Sequence, residues 1–269
     1  MRQEENLRAT IGGYFQLRLP SPYTSPLFNT KDFLTKPNSY NQYIPNNIDL
    51  LCGDALLELQ SNAISTLANN QIPGTNTWIA IINWLNDFIN QLEDTYDIVF
   101  LDSNPSFSMY TQIALATSTK IILPVMADDS SRRAIQNAFS LIYGLKLPSE
   151  IYSRYAFAEK LKEVSMPLPK VYFILRNRIT QYMGSASAYA TVLKTINELV
   201  ESLLETNPNI FNFSTINSGI TDIHDFQTTG VVSYARGCPF SSLKSGRVVL
   251  LGRVEKVVIC YKYSIFILG

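Results

Sequence analysis

Three unbroken apolar runs, each closed by polar residues, organise the hydrophobic pattern of the chain. Residues 98–101 read Ile-Val-Phe-Leu and stop at Asp102. A short run without polar interruption predicts a strand buried on both faces, here with a carboxylate at its carboxyl end. Residues 120–125 (Lys-Ile-Ile-Leu-Pro-Val) and 170–175 (Lys-Val-Tyr-Phe-Ile-Leu) repeat the pattern. The first two runs are separated by a turn at Asn104-Pro105-Ser106 and about a dozen helix-compatible residues, which predicts a right-handed βαβ unit. Proline fixes its own φ and keeps Asn104 out of the helical region, so the chain must turn there. Ligands of open parallel sheets bind beyond the carboxyl ends of the strands. Asp102 is therefore the first place to look for chemistry, and Arg176-Asn177-Arg178 follows the third run at its carboxyl end.

Helical spacing fills the intervals. Between Thr77 and Leu92 the residues Trp78, Ile81, Ile82, Leu85, Phe88, Ile89 and Leu92 fall three and four apart, predicting one amphipathic helix whose aromatic stripe is core. Further helices are expected from Asp54, as a cap, through Leu67; from a cap at Ser130 or Ser131 to Leu145, with Gly144 at the exit; over 150–164; and over 185–204. Arg132 and Arg133 sit in a first turn, where the helix dipole disfavours positive charge. They read as solvated surface residues, with an anion or a partner subunit as the alternative. Residues 47–54 predict a strand closed by Gly53, and 210–214 a short one. Residues 19–45 are rich in Pro, Ser, Asn, Thr and Tyr and predict a loop with a short helix near 31–35.

Composition narrows the class without naming it. With 269 residues, 46% hydrophobic and 16% charged, the chain is globular and long enough for one large α/β domain. Basic and acidic residues both number 22, so the overall charge points to no polyanionic partner. The last segment differs: Arg236, Lys244, Arg247, Arg253, Lys256 and Lys262 face Glu255 alone, a local excess that could touch phosphates or simply be solvated. Cys52, Cys238 and Cys260 are unevenly spaced, and His224 is the single histidine, so neither a disulfide framework nor a zinc site is expected. No leader-like start and no apolar stretch of about twenty residues occurs, and with this cysteine usage a cytoplasmic protein with no membrane partner is expected. A Ser-His-Asp or Cys-His set around His224 stays open, but no Gly-x-Ser-x-Gly elbow accompanies it.

The apolar run, Asp102, a polar residue and Asn104-Pro105-Ser106 together resemble the Walker B and switch II segment of the ParA/Soj/MinD group of partition ATPases. Ala127-Asp128-Asp129-Ser130-Ser131-Arg132-Arg133-Ala134 is similar to the stretch those proteins carry after their next strand. Residues 47–54 resemble their Asn-Leu-Asp-Leu-Ile-Pro-Gly-type strand, and Asn177-Arg178 their Asn-Arg pair. Residues 221–240, ending in Gly237-Cys238-Pro239, look like the family's last loop and helix. The resemblance implies an α/β fold with a mostly parallel sheet flanked by helices, P-loop NTPase-like and of the deviant Walker type. It implies that Asp102 supports the Mg2+ of bound ATP and that Asn104, Pro105 and Ser106 sense the γ-phosphate. Asn177, with Arg178, would contact the base, and an amide side chain suits adenine, which offers one donor and one acceptor together. The implied activity is ATP-driven dimerisation on nonspecific DNA, with hydrolysis stimulated by a ParB-like partner, in plasmid or chromosome segregation.

The chain departs from that pattern at both ends. A phosphate loop needs glycines, then Lys and a hydroxyl residue. None of the twelve glycines is followed by Lys, so the first βα unit of the family is expected to be missing, and tight ATP binding is not expected. Gln3 through Thr10 resembles the family's segment just after switch I. The expected organisation is an irregular segment at 1–46, an incomplete ParA-like domain at 47–245, and an atypical apolar and basic tail at 246–269. The tail is rich in β-branched residues and reads as strand, which suggests a changed reading frame near Ser245. Two alternatives accompany the motor reading. One is a non-catalytic remnant that engages a partition partner or a full-length relative through the helices after Asp129. The other is an unrelated α/β enzyme using Asp102 as phosphoacceptor or metal ligand, for which Asp49 is the lone candidate for the further carboxylate needed on an earlier strand.

Overall fold

A computed structural model of the chain describes residues 8–92, 95–103, 106–126, 128–147, 149–153, 155–179, 187–244, 246–250 and 253–257. In chain order the helices and strands are α1 (Ile11–Arg18), α2 (Leu56–Asn69), α3 (Thr77–Ile82), α4 (Trp84–Asn90), α5 (Met109–Thr117), β1 (Lys120–Val125), α6 (Asp129–Tyr143), α7 (Glu150–Ser153), α8 (Phe157–Glu163), β2 (Lys170–Ile179), α9 (Ser187–Thr206), α10 (Ile216–Gly219), β3 (Ile220–His224), α11 (Gln227–Arg236), β4 (Gly246–Leu250) and β5 (Arg253–Val257). They form two units, one of residues 1–34 and 51–223, the other of residues 35–50 and 224–269.

The first unit is an α/β assembly around a sheet of order β1-β2-β3. β1 and β2 are parallel, from Lys120 opposite Lys170 to Val125 opposite Arg176. The connection between them carries α6 to α8, as a parallel crossover requires. β1 lies at the end of the order, which is where a strand can hold Pro124, since proline brings no N–H to a ladder. Ile121, Val125, Val171 and Ile174 are buried, whereas Lys120 and Ile122 are exposed and Pro124 is exposed with them. Burial on one face replaces the burial on both faces expected for 120–125.

The run at 98–101 corrects the sequence reading more sharply. It forms no strand, and Ile98, Val99 and Phe100 are exposed, Phe100 by 80%. Four residues make few ladder bonds, and a strand laid beside β1 would meet Pro124, which offers no N–H. The expected βαβ unit from 98 to 125 is accordingly not formed; the parallel crossover occurs one step later, between β1 and β2.

Smaller differences have local causes. The helix expected over 77–92 breaks at Asn83, whose Nδ2 donates to the Ile79 carbonyl at 3.0 Å, and becomes α3 and α4. Trp78, Ile81, Ile82, Leu85 and Phe88 nevertheless form its buried stripe. The helix of 150–164 divides at Ala156, which has extended backbone angles. Residues 47–54 contribute isolated bridges, Leu50 with Thr35 and Cys52 with Thr10, and Phe211 bridges Val171 in place of the strand expected at 210–214. The cap of α6 is Asp128, not a serine: its Oδ1 accepts the Ser131 N–H at 2.6 Å.

α1 has no counterpart among the elements the pattern predicts. It buries Tyr14, Phe15 and Arg18 in an aromatic cluster with Phe28, Phe33, Trp84 and Phe88. Arg18 is 2% exposed; its guanidinium lies over the Trp84 ring and donates to Asp87 Oδ2 at 2.7 Å and to the Tyr14 hydroxyl at 3.2 Å. Burial pushes the Tyr14 phenol up to about 12, with Arg18 pulling the other way. In the second unit α11 ends at Gly237 in the left-handed region, and Val232, Cys238 and Leu243 form a small core. β4 and β5 pair antiparallel, in keeping with the strand-like tail read from the sequence. Among the described residues no helix is long and apolar enough to cross a membrane.

Candidate functional site

Because Val125 stands opposite Arg176 in a parallel pair, β1 and β2 leave the sheet at one edge. Beyond β1 the chain turns directly into α6. The Met126 N–H donates to Ser131 Oγ at 2.9 Å, and Asp128 caps the helix, a carboxylate suited to the positive end of the dipole. Beyond the part of β2 that pairs with β1 come Asn177 and Arg178, both exposed. Asn177 Oδ1 accepts the Arg178 N–H at 2.9 Å, and Arg178 has φ of 59°, a left-handed conformation costing a non-glycine residue about 1 kcal/mol. Nδ2 of Asn177 and the second lone pair of its Oδ1 remain to offer a donor and an acceptor side by side.

Arg176 precedes this pair and points elsewhere. Its Nε donates to Asp222 Oδ1 on β3, and its Nη1 donates to Asn197 Oδ1 on α9 at 3.3 Å. One guanidinium thus ties two neighbouring elements to the end of β2. Sequence reading could not find this, since its partners lie 46 and 21 residues away. Asp128 was missed as the cap, since a serine was expected there; an Asp three residues before Ser131, at the head of an amphipathic stretch, is the signal that could have found it.

Asp102 lies in exposed coil, since the run before it is not a strand. Ser106 is exposed two residues before the Ser108 cap of α5; its carbonyl accepts the Ser108 N–H at 2.9 Å and the Thr111 hydroxyl. Asn104 and Pro105 lie outside the described residues. The sheet therefore brings Asn177 and Arg178 to the edge where α6 begins, and it leaves Asp102 and Ser106 on the loop that leads into α5.

For a nucleotide the fit divides between base and phosphates. Asn177 offers the donor and acceptor that adenine's edge requires. The Gly12-Gly13 helix start of α1 is no phosphate cradle, because the chain's own carboxylate fills it. Asp54 accepts from the Thr10 hydroxyl and from the Leu56 N–H at 2.6 Å, and Arg8 lies 3.4 Å away. A Cβ on Gly12 would collide with the Asp54 carboxylate. Burial raises the Asp54 carboxyl, but the Thr10, Leu56 and Arg8 contacts outweigh it and hold the group below its ordinary value. Among the described residues no three His, Cys, Asp or Glu side chains converge as a metal site. Among the described residues, Asn177 presents a donor and an acceptor of the kind an adenine edge takes, and the Gly12-Gly13 helix start offers no room for a phosphate.

A family profile described as AAA domain, AAA_31, matches residues 28–162, half of the chain. The chain belongs to this family, whose members are ParA/MinD-like domains of the P-loop NTPase class. No curated protein matches the chain in sequence. Among solved structures, apo McdA from Cyanthece is similar over 87% of this chain and 78% of its own, at 11% identity and a TM-score of 0.49. A plasmid partition protein from Borrelia burgdorferi is similar over 81% of this chain and 78% of its own, at 17% identity and a TM-score of 0.36.

Proposed function

We propose that the chain is a ParA-like partitioning protein, an adenine-nucleotide-responsive and DNA-associated switch with a weakened hold on phosphate. Family membership supports the reading, and the observation that carries it is the Asn177-Arg178 pair at the carboxyl end of a parallel strand, beside the start of a carboxylate-capped helix. In this reading Asn177 contacts the adenine edge and Arg178 the neighbouring part of the nucleotide. Asp102 and the Asn104-Pro105-Ser106 turn take the metal-supporting and γ-phosphate-sensing roles that the resemblance implies. When bound, Mg2+ would offset phosphate charge. The chain's own residues orient the base, and the lack of a glycine-lysine loop leaves phosphate charge unneutralised. A ParB-like partner, nonspecific DNA and a second copy of the chain are the proposed associates, and segregation of a plasmid or chromosome is the proposed role.

A second reading, an interaction module without nucleotide chemistry, is favoured by one observation. Ile151, Tyr152 and Tyr155 are largely exposed in and after α7, more apolar surface than a lone helix end needs. Calorimetry with a non-hydrolysable ATP analogue, with and without Mg2+, separates the two. The switch reading expects weak binding that Asn177→Ala reduces about tenfold or more, in line with the loss of a paired amide–base contact. No heat at millimolar analogue, for wild type and variant alike, discards the switch and leaves the module.

A further inference from the structure

The Arg176 contacts extend beyond anything the family match assigns. Arg176 is the last β2 residue paired with β1, and its side chain is held from two directions, by Asp222 on β3 and Asn197 on α9. Two residues later Arg178 adopts a left-handed backbone inside the strand, a conformation that arginine does not choose by itself. Such a conformation persists when its surroundings over-determine it. Asn177 shares in that restraint, because its Oδ1 is bound to the very N–H that the left-handed turn presents. The fixed point immediately before the turn is Arg176.

We infer that Arg176 is a positioning residue: its ties to Asp222 and Asn197 hold the end of β2 so that the Asn177 amide faces outward in one orientation. The inference rests on the base-contacting role proposed above only for what the amide touches; the restraint itself belongs to the free protein. A planar guanidinium reaches two acceptors in different directions at once, which a lysine ammonium on a flexible stem does with far less geometric control. Arg176→Lys therefore preserves the charge opposite Asp222 and gives up the fixed orientation.

Two readouts test this on the full chain. The first is amide hydrogen exchange without ligand, comparing wild type, Asp222→Asn and Arg176→Lys. Exchange at Arg178 and Ile179 should rise by about tenfold or more in Arg176→Lys, which gives up both directed contacts, and by less in Asp222→Asn, which keeps an acceptor oxygen and the Asn197 contact, while β1 amides stay unchanged. Unchanged exchange at 178 and 179 overturns the inference, and so does a uniform rise across the sheet, which would make the contacts a matter of general stability. The second readout is the ratio of affinities for fluorescent N-methylanthraniloyl ADP and GDP. The wild type should prefer the adenine form, Asn177→Ala should abolish the preference, and Arg176→Lys should narrow it several-fold with Asp222→Asn intermediate. If neither wild type nor Asn177→Ala discriminates the bases, the base-contact reading falls and the exchange experiment alone decides the positioning role. If Asn177 governs a preference that Arg176→Lys leaves intact, the positioning role is wrong.

Discussion

Residues 98–101 and 170–175 are nearly interchangeable as patterns, yet one is coil, exposed at Ile98, Val99 and Phe100, and the other is the middle strand of the sheet. Both are continuous apolar runs rich in β-branched or aromatic residues, and both are followed by polar side chains. Their surroundings differ. β2 has β1 on one side and β3 on the other, so its backbone groups are satisfied by the ladder and Val171 and Ile174 are fully buried. The earlier run pairs with no strand among the described residues. An apolar run records a capacity for burial, and the neighbouring strands decide whether that capacity is used.

The largest expected effect sharpens this contrast from the buried side. Ile174→Ala removes a side chain with 0% exposure and should destabilise the first unit by about 2–5 kcal/mol, read from urea unfolding monitored by tryptophan fluorescence. A loss below about 0.5 kcal/mol would mean that β2 is no better buried than the exposed run.

A middle-sized effect comes from a region where polar contacts, not apolar runs, join the elements. Asp54 links the start of α1 to the start of α2 through Thr10, Leu56 and Arg8. Its carboxyl is held below the ordinary value, so its stabilisation is fully present above the unfolded pKa of about 3.9 and is lost as pH falls through the lower folded value. Asp54→Asn should melt below wild type at pH 7, and the gap should close as the pH is lowered past that range. A gap independent of pH would show that charge plays no part in the link.

The smallest effect tests the exposed side of the comparison. Phe100→Ser alters a residue that is 80% exposed and should change stability by no more than about 0.5 kcal/mol in the same urea experiment. A loss matching that of Ile174→Ala would place residues 98–101 in a core after all.

Legibility followed the same division. β1 could be read from the sequence at Lys120–Val125, β2 at its start at Lys170, and α9 to within two residues at each end, because pattern and surroundings agree there. α1 was illegible: two adjacent glycines argue against a helix, and the burial of Tyr14, Phe15 and Arg18 overrides that local preference. The break at Asn83 depends on a side chain returning to its own helix, a competition that spacing alone does not reveal. The position of Asn177 and Arg178 at the end of β2 could be read because they come directly after an apolar run. The hold that Arg176 takes on Asp222 and Asn197 could not, since it joins elements far apart in the chain.

Residue-resolved hydrogen exchange on the intact, ligand-free protein tests most directly whether pairing, rather than pattern, makes the strands. The account predicts that the β2 amides of Val171 and Ile174 exchange at least about a thousandfold more slowly than those of Val99, Phe100 and Leu101, which should stay within about tenfold of unstructured rates. Protection at residues 99–101 equal to that of β2 would contradict it, and would return Asp102 to the tip of a strand.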